Sequence, residues 1–214
     1  MTTRLSHLSA AVILTLVASA PAFAQEELTR LAHKGMDLIK PYVILSDSSH
    51  DEPYTDKDPR TDQARADIRE GIAILEQVTA QRPNFWPGLL LIGMGHQTGG
   101  DHPAAYQAFK RAYELNPPEQ SGISREYALE ALCTHHDDEA VMAARKAAAA
   151  HPDDAVLAAN LGYVMLGVVG QLDAAEEATK RSLRLAPSDP MTQGQLRDII
   201  GVRAGTVLAR RCYP

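Results

Sequence analysis

The sequence predicts an all-α protein, a solenoid of antiparallel helix pairs, and three observations carry that expectation. Pro83, Pro117, Pro152 and Pro187 recur at separations of 34, 35 and 35 residues. A turn-forming cluster falls between each pair of prolines: Gly99-Gly100-Asp101, His135-His136-Asp137-Asp138 and Gly170-Gln171-Leu172-Asp173. Small residues recur where two helices would touch: Gly93 with Ala105, Ala128 with Ala140, and Gly162 with Ala175. Proline lacks an amide donor and clashes with the preceding turn, so each one stops a helix. Every unit therefore reads helix, tight turn, helix, stop.

Composition agrees with this. With 45% hydrophobic and 22% charged residues the chain is globular, too apolar for intrinsic disorder. Only 5% is aromatic while Ala is abundant, which favours closely packed helices over a sheet. A net charge of −6 excludes a non-specific nucleic-acid binder, which needs a surplus of Lys and Arg.

Residues 1–24 read as an export leader. Arg4 gives a positive start, Leu8 to Ala20 is an apolar run, and Ala22-Phe23-Ala24 is a small-x-small cleavage site before Gln25. About 13 apolar residues are too few to cross roughly 30 Å of hydrocarbon. The expectation is a periplasmic or secreted protein that does not span a membrane once the leader is removed.

Within the second helix of each unit, further positions repeat at spacings of four and three residues. They are Ala105, Phe109 and Ala112, then Ala140, Ala144 and Ala147, then Ala175, Thr179 and Ser182. That spacing puts each set on one helix face. Together with the small residues and prolines, the pattern resembles the tetratricopeptide repeat family, whose unit is a helix–turn–helix of about 34 residues. The resemblance covers three units, 84–117, 118–152 and 153–187. It departs from the family in detail. The family's first aromatic position holds Leu89, Ser124, and Leu157 or Ala158, His135 stands where a turn Gly is usual, and the third unit needs an extra residue before Gly170.

Residues 25–83 read as a divergent N-terminal pair. Glu26 to Lys40 would pack on Asp62 to Arg82, with Ile68, Ile72, Leu75 and Val78 buried, Asp62 as cap, and a polar loop at 46–61 between. That loop carries Asp47, Asp51, Glu52, Asp56 and Asp58 but lacks the alternation and central Gly of a calcium loop. In 188–214, Met191 to Ala209 reads as a capping helix with Leu196, Ile199, Ile200 and Val207 turned inward. An end repeat needs such a cap to cover its stacking face. The resemblance implies nine helices in one right-handed solenoid.

Signatures of chemistry are sparse. No zinc-protease helix, nucleophile elbow or phosphate loop is present, so no enzyme activity and no cofactor are expected. The glycine cluster from Gly93 to Gly100 follows no strand, which removes it as a nucleotide site. His96, His102, His135 and His136 fall near inter-helix turns with Asp101, Asp137 and Asp138. These supply ligands for zinc or copper, and equally read as polar turn residues, with Asp101 and Asp137 capping the next helix. Cys133 and Cys212 have two open readings: a bond tying the tail to the middle of the protein, or a core thiol and a fraying one.

The resemblance also implies where a partner binds. The first helix of each unit forms the inner wall of a superhelix, here Leu90, Met94 and Gln97, then Arg125, Leu129, Leu132 and Cys133, then Ala159, Tyr163 and Leu166. So apolar a wall suits an amphipathic helix or apolar peptide of a partner protein, in a scaffold or adaptor. The competing expectation is self-coverage, with the N-terminal helix or the tail from Val207 to Pro214 filling the groove.

Overall fold

The computed structural model describes residues 22–43, 58–118, 122–209 and 211–212. The export-leader reading therefore falls almost wholly outside the described residues, and so does most of the acidic loop at 46–61. Among the described residues there are nine α-helices, one short 3-10 turn (Lys40–Tyr42) and no strand. The helices are α1 (Ala22–Ile39), α2 (Asp62–Gln81), α3 (Trp86–Thr98), α4 (His102–Glu114), α5 (Ile123–Cys133), α6 (Asp137–Ala150), α7 (Ala155–Gly167), α8 (Leu172–Leu185) and α9 (Pro190–Arg203).

Each even-numbered helix packs on the odd-numbered helix before it and on the one after it. α1 also touches α3, α5 touches α7, and α7 touches α9. The odd-numbered helices therefore share one wall and the others form the opposite layer, an α-solenoid of tetratricopeptide-like hairpins. Pro83, Pro117, Pro152 and Pro187 each follow the end of an even-numbered helix, as their chemistry requires.

Among the described residues the buried apolar side chains form four clusters along the stack. One apolar cluster runs from Ile39 and Leu75 through Phe109, Tyr127 and Leu132 to Val164. A second joins Met165, Leu166 and Ala175 to Ile199 of α9. In the N-terminal pair, Ile68, Leu75 and Val78 are buried while Ile72 is half-buried. The pair is further pinned by a 2.6 Å hydrogen bond from the Tyr42 hydroxyl to Asp67.

Several local expectations are corrected. The side chain of Thr61, not Asp62, accepts the Ala64 amide at the start of α2, and Asp62 pairs with Arg65 instead. Gly93 faces the ring of Phe109 rather than Ala105: a Cβ there would come 2.5 Å from the ring. Glycine at 93 is what lets that aromatic fill the α3–α4 interface. Gly162 does face Ala175 as expected, a Cβ there lying 3.1 Å from the Ala175 carbonyl, with Thr179 and Gln195 closer still. The final helix stops at Arg203, at a turn through Gly205 with φ 72°, rather than running to Ala209. Only one hairpin lies beneath α9, so its buried stripe is narrow. Ile199 is buried, whereas Ile200 and Val207 are exposed.

The departure at His135 has a backbone explanation. Gly100, His135, Gly170 and Gly205 lie 35 residues apart and all take positive φ, at 76°, 63°, 81° and 72°. At the first two positions the next amide reaches back to close the helix end, Asp101 N to His96 O at 2.9 Å and His136 N to Ala131 O at 2.8 Å. That closure needs a left-handed residue. His135 adopts it despite its Cβ.

Candidate partner-binding site

The inner wall holds a buried polar chain at its centre. The Gln97 side-chain amide of α3 donates to Glu130 at 2.9 Å and to Glu126 at 3.2 Å, both on α5. Glu130, almost fully buried, also meets Nδ1 of His102 at 2.9 Å. Arg125 pairs with Glu126. A buried carboxylate needs such partners, because leaving it unpaired is expensive.

The C-terminal tail crosses this wall. Cys212 is bonded to Cys133, the last residue of α5, with their Cα atoms 5.0 Å apart. Beside it, the Arg211 guanidinium donates to the Gly167 carbonyl at 2.9 Å and pairs with Asp137. Asp137 thus anchors the tail and does not cap α6, whose cap position is His136, its ring turned to the Thr134 hydroxyl at 3.0 Å rather than to the helix amides.

The wall residues named from the sequence separate into two groups. Met94, Leu132, Tyr163 and Leu166 are buried. Leu90, Gln97, Arg125 and Leu129 are half-buried, as are Cys133 and Ala159. Met94 belongs to the main core, and Leu132 packs against Gly167, where a Cβ would come 2.9 Å from it. These apolar side chains hold neighbouring helices together, so the wall is not open along its length. What is open lies toward the C-terminal end.

There α7, α9, the ends of α6 and α8, the turns that follow them and the tail enclose a cleft of about 1060 Å³. Tyr163 and Leu166 form its floor, with Val156, Leu185, Met191 and Leu208 around it. Met191 is 72% and Leu208 89% exposed, so neither contributes to the core. The lining carries Asp153, Asp154, Asp189 and Asp198 and, among the described residues, no Lys or Arg. Asp154 and Asp189 cap α7 and α9, which fixes their carboxylates at the cleft edge. Asp189 is held below the ordinary carboxylate range by hydrogen bonds from Thr192, so it stays charged. The sequence pattern points to the odd-numbered helices generally. The apolar rim at Val156, Met191 and Leu208 leaves no periodic signal in it.

The histidines do not converge on one metal. His96 lies 3.8 Å from Asp101, His136 stacks on Tyr106 at 4.1 Å, and His135 is exposed on its left-handed turn. Asp101 caps α4 through the Ala104 amide. A separate charged cluster sits between α4, α5 and α6, where Glu139 accepts from Tyr106, Tyr127 and Lys110. Burial alone would raise the Glu139 pKa, but the hydrogen bonds from Tyr127, Lys110 and Tyr106 outweigh it and hold it at about 2. Burial and the same carboxylate push the Tyr127 hydroxyl far up.

No protein-family model matches the chain, and no curated protein matches it. Solved structures do. A crystal structure of MamA protein superposes with a TM-score of 0.61 at 17% identity, over 83% of this chain and 85% of that one. Two structures of MamA AMB-1 superpose at 0.59 and 16% identity, over 85% of this chain and 85% or 91% of theirs. At that identity the likeness is one of fold. Among the described residues no helix is long and apolar enough to cross a membrane.

Proposed function

We propose that this tetratricopeptide-like solenoid is an exported, non-enzymatic interaction protein, and that its C-terminal cleft holds a basic, apolar-anchored segment of a partner protein. One observation carries the reading: exposed Met191, Leu208 and Val156 surround a cleft whose charged lining is four aspartates. Exposed apolar patches rimmed by polar groups mark interaction sites. An amphipathic segment lays its apolar face into such a groove, and Lys or Arg on its flanks would meet the aspartates. Export is supported by the leader-like residues 1–24 and agrees with a cysteine pair joined as a disulfide.

Two fluorescent peptides of equal length test this, one alternating Leu with Lys at helical spacing and one with Glu in place of Lys. The Lys peptide should bind with a Kd of about 1 µM, or roughly −8 kcal/mol, and the Glu peptide at least tenfold more weakly. The double variant Met191→Gln, Leu208→Gln removes two exposed apolar anchors without changing the cleft's charge and should weaken the Lys peptide at least tenfold while its helical circular dichroism stays unchanged. Equal binding of both peptides, or undiminished binding by the variant, would overturn the reading.

A further inference from the structure

Outside the cleft, three side chains with metal-binding atoms meet beneath the tail. A ring nitrogen of His102 and the sulfurs of Cys133 and Cys212 all lie within 4.8 Å of one another, the one such group among the described residues. His102 is the first residue of α4 and Cys133 the last of α5, so two of the three are set by helix ends. Cys212 arrives on the tail, steered by Arg211.

We propose that, once the Cys133–Cys212 bond is reduced, His102, Cys133 and Cys212 form a three-ligand site for a zinc-class divalent cation. The disulfide and the metal are then two alternative ways of fastening the same tail. This goes beyond the partner-binding reading and does not depend on it.

The geometry favours a tetrahedral ion. With Zn–S near 2.3 Å and Zn–N near 2.0–2.1 Å, tetrahedral angles put a sulfur and a nitrogen ligand about 3.5 Å apart. Nε2 of His102 already lies 3.6 Å from Sγ of Cys212. The two sulfurs need to part to about 3.8 Å, which breaking their bond permits. The imidazole is already oriented to ligate, because Nδ1 faces the buried Glu130 carboxylate at 2.9 Å and leaves the Nε2 lone pair for the ion. Glu130 is itself held by Gln97 at 2.9 Å. A carboxylate behind a ligating histidine is the outer shell that fixes its tautomer and raises its basicity. Two thiolates and one neutral imidazole balance the ion's charge and leave a fourth position for water.

The chemistry balances with a dithiol as reductant. It gives two electrons and two protons to the Cys133–Cys212 bond, becomes a cyclic disulfide, and leaves two thiols. Metal binding then forms two metal–sulfur bonds and releases both thiol protons to solvent.

The test uses the full chain and cobalt(II) as a spectroscopic stand-in for zinc, with a phosphine as reductant, removed before titration, because it competes for the metal less than a dithiol does. The phosphine takes oxygen from water to become its oxide while the disulfide becomes two thiols. Reduced protein should bind one cobalt ion with intense tetrahedral ligand-field bands and a sulfur-to-metal charge-transfer band, and zinc should displace it. Oxidised protein should show neither band. His102→Ala should weaken the reduced protein's affinity at least tenfold, and Glu130→Gln by about tenfold. Far-UV circular dichroism of the reduced protein is recorded alongside. No cobalt uptake by reduced wild type, whether its helices persist or not, overturns the proposal. So does a His102→Ala variant that binds as tightly as wild type.

Discussion

Gly35 and Gly71 meet backbone to backbone where α1 packs on α2: a Cβ added at Gly71 would lie 2.8 Å from the Gly35 carbonyl oxygen and 2.6 Å from Ile39. The N-terminal pair thus uses the close approach seen at Gly93 and Gly162, although a long insertion separates its two helices. Backbone cannot yield as the end of a side chain can. Gly71→Ala should therefore destabilise the protein by about 1–3 kcal/mol, measured by urea unfolding. An unchanged midpoint and slope would contradict the close α1–α2 contact.

His135 takes a left-handed conformation, φ 63°, where the positions 35 residues to either side are glycine. A side chain there costs roughly 1–2 kcal/mol in backbone strain, partly offset by the greater freedom glycine has when unfolded. His135→Gly should raise stability by about 0.5–1 kcal/mol and leave the spectrum of the folded protein unchanged. A lower Tm would mean that the imidazole makes contacts that outweigh the strain.

Glu139 makes stability depend on acidity. Its pKa is about 2 in the folded protein against an ordinary 4.5. A depressed carboxylate stabilises the fold above its unfolded value, and that contribution drains away as pH falls from about 4.5 toward 2. Its side chain is 31% exposed, so screening leaves about 1–2 kcal/mol of the full linkage. Between roughly pH 5 and pH 2 wild type should lose about that much more unfolding free energy than Glu139→Gln. Parallel losses in both proteins would remove Glu139 as the source.

The Cys133–Cys212 bond closes a segment of 79 residues. Cross-linking a long loop restricts the unfolded chain, typically by about 2–4 kcal/mol. Cys212→Ser should lower unfolding free energy by that amount and free the tail to proteolysis beyond α9, read by mass spectrometry. Intact tails under limited digestion would show that Arg211 alone holds the segment.

The regular part of this architecture is visible in the sequence because its causes are local. Proline stops, left-handed turns and small residues at helix contacts each follow from backbone geometry within one unit. Gly35 and Gly71 obey the same rule, yet 36 residues of separation hide their pairing. The cap at Thr61 rather than Asp62 is a one-residue choice between two good capping side chains. The inner wall is a different matter. Whether Leu132, Tyr163 and Leu166 face water depends on how closely successive hairpins stack and on where a distant tail lies. Neither leaves a periodic trace. The same applies to His102, whose neighbours Glu130 and Cys212 are 28 and 110 residues away.

Methyl NMR of the protein with the Leu/Lys peptide bound locates the surface that holds it. A peptide seated in the cleft moves Val156, Leu166, Met191 and Leu208 and leaves the methyl groups of α2 and α4 unmoved. Shifts centred on α2 and α4, with Met191 and Leu208 silent, would contradict that placement.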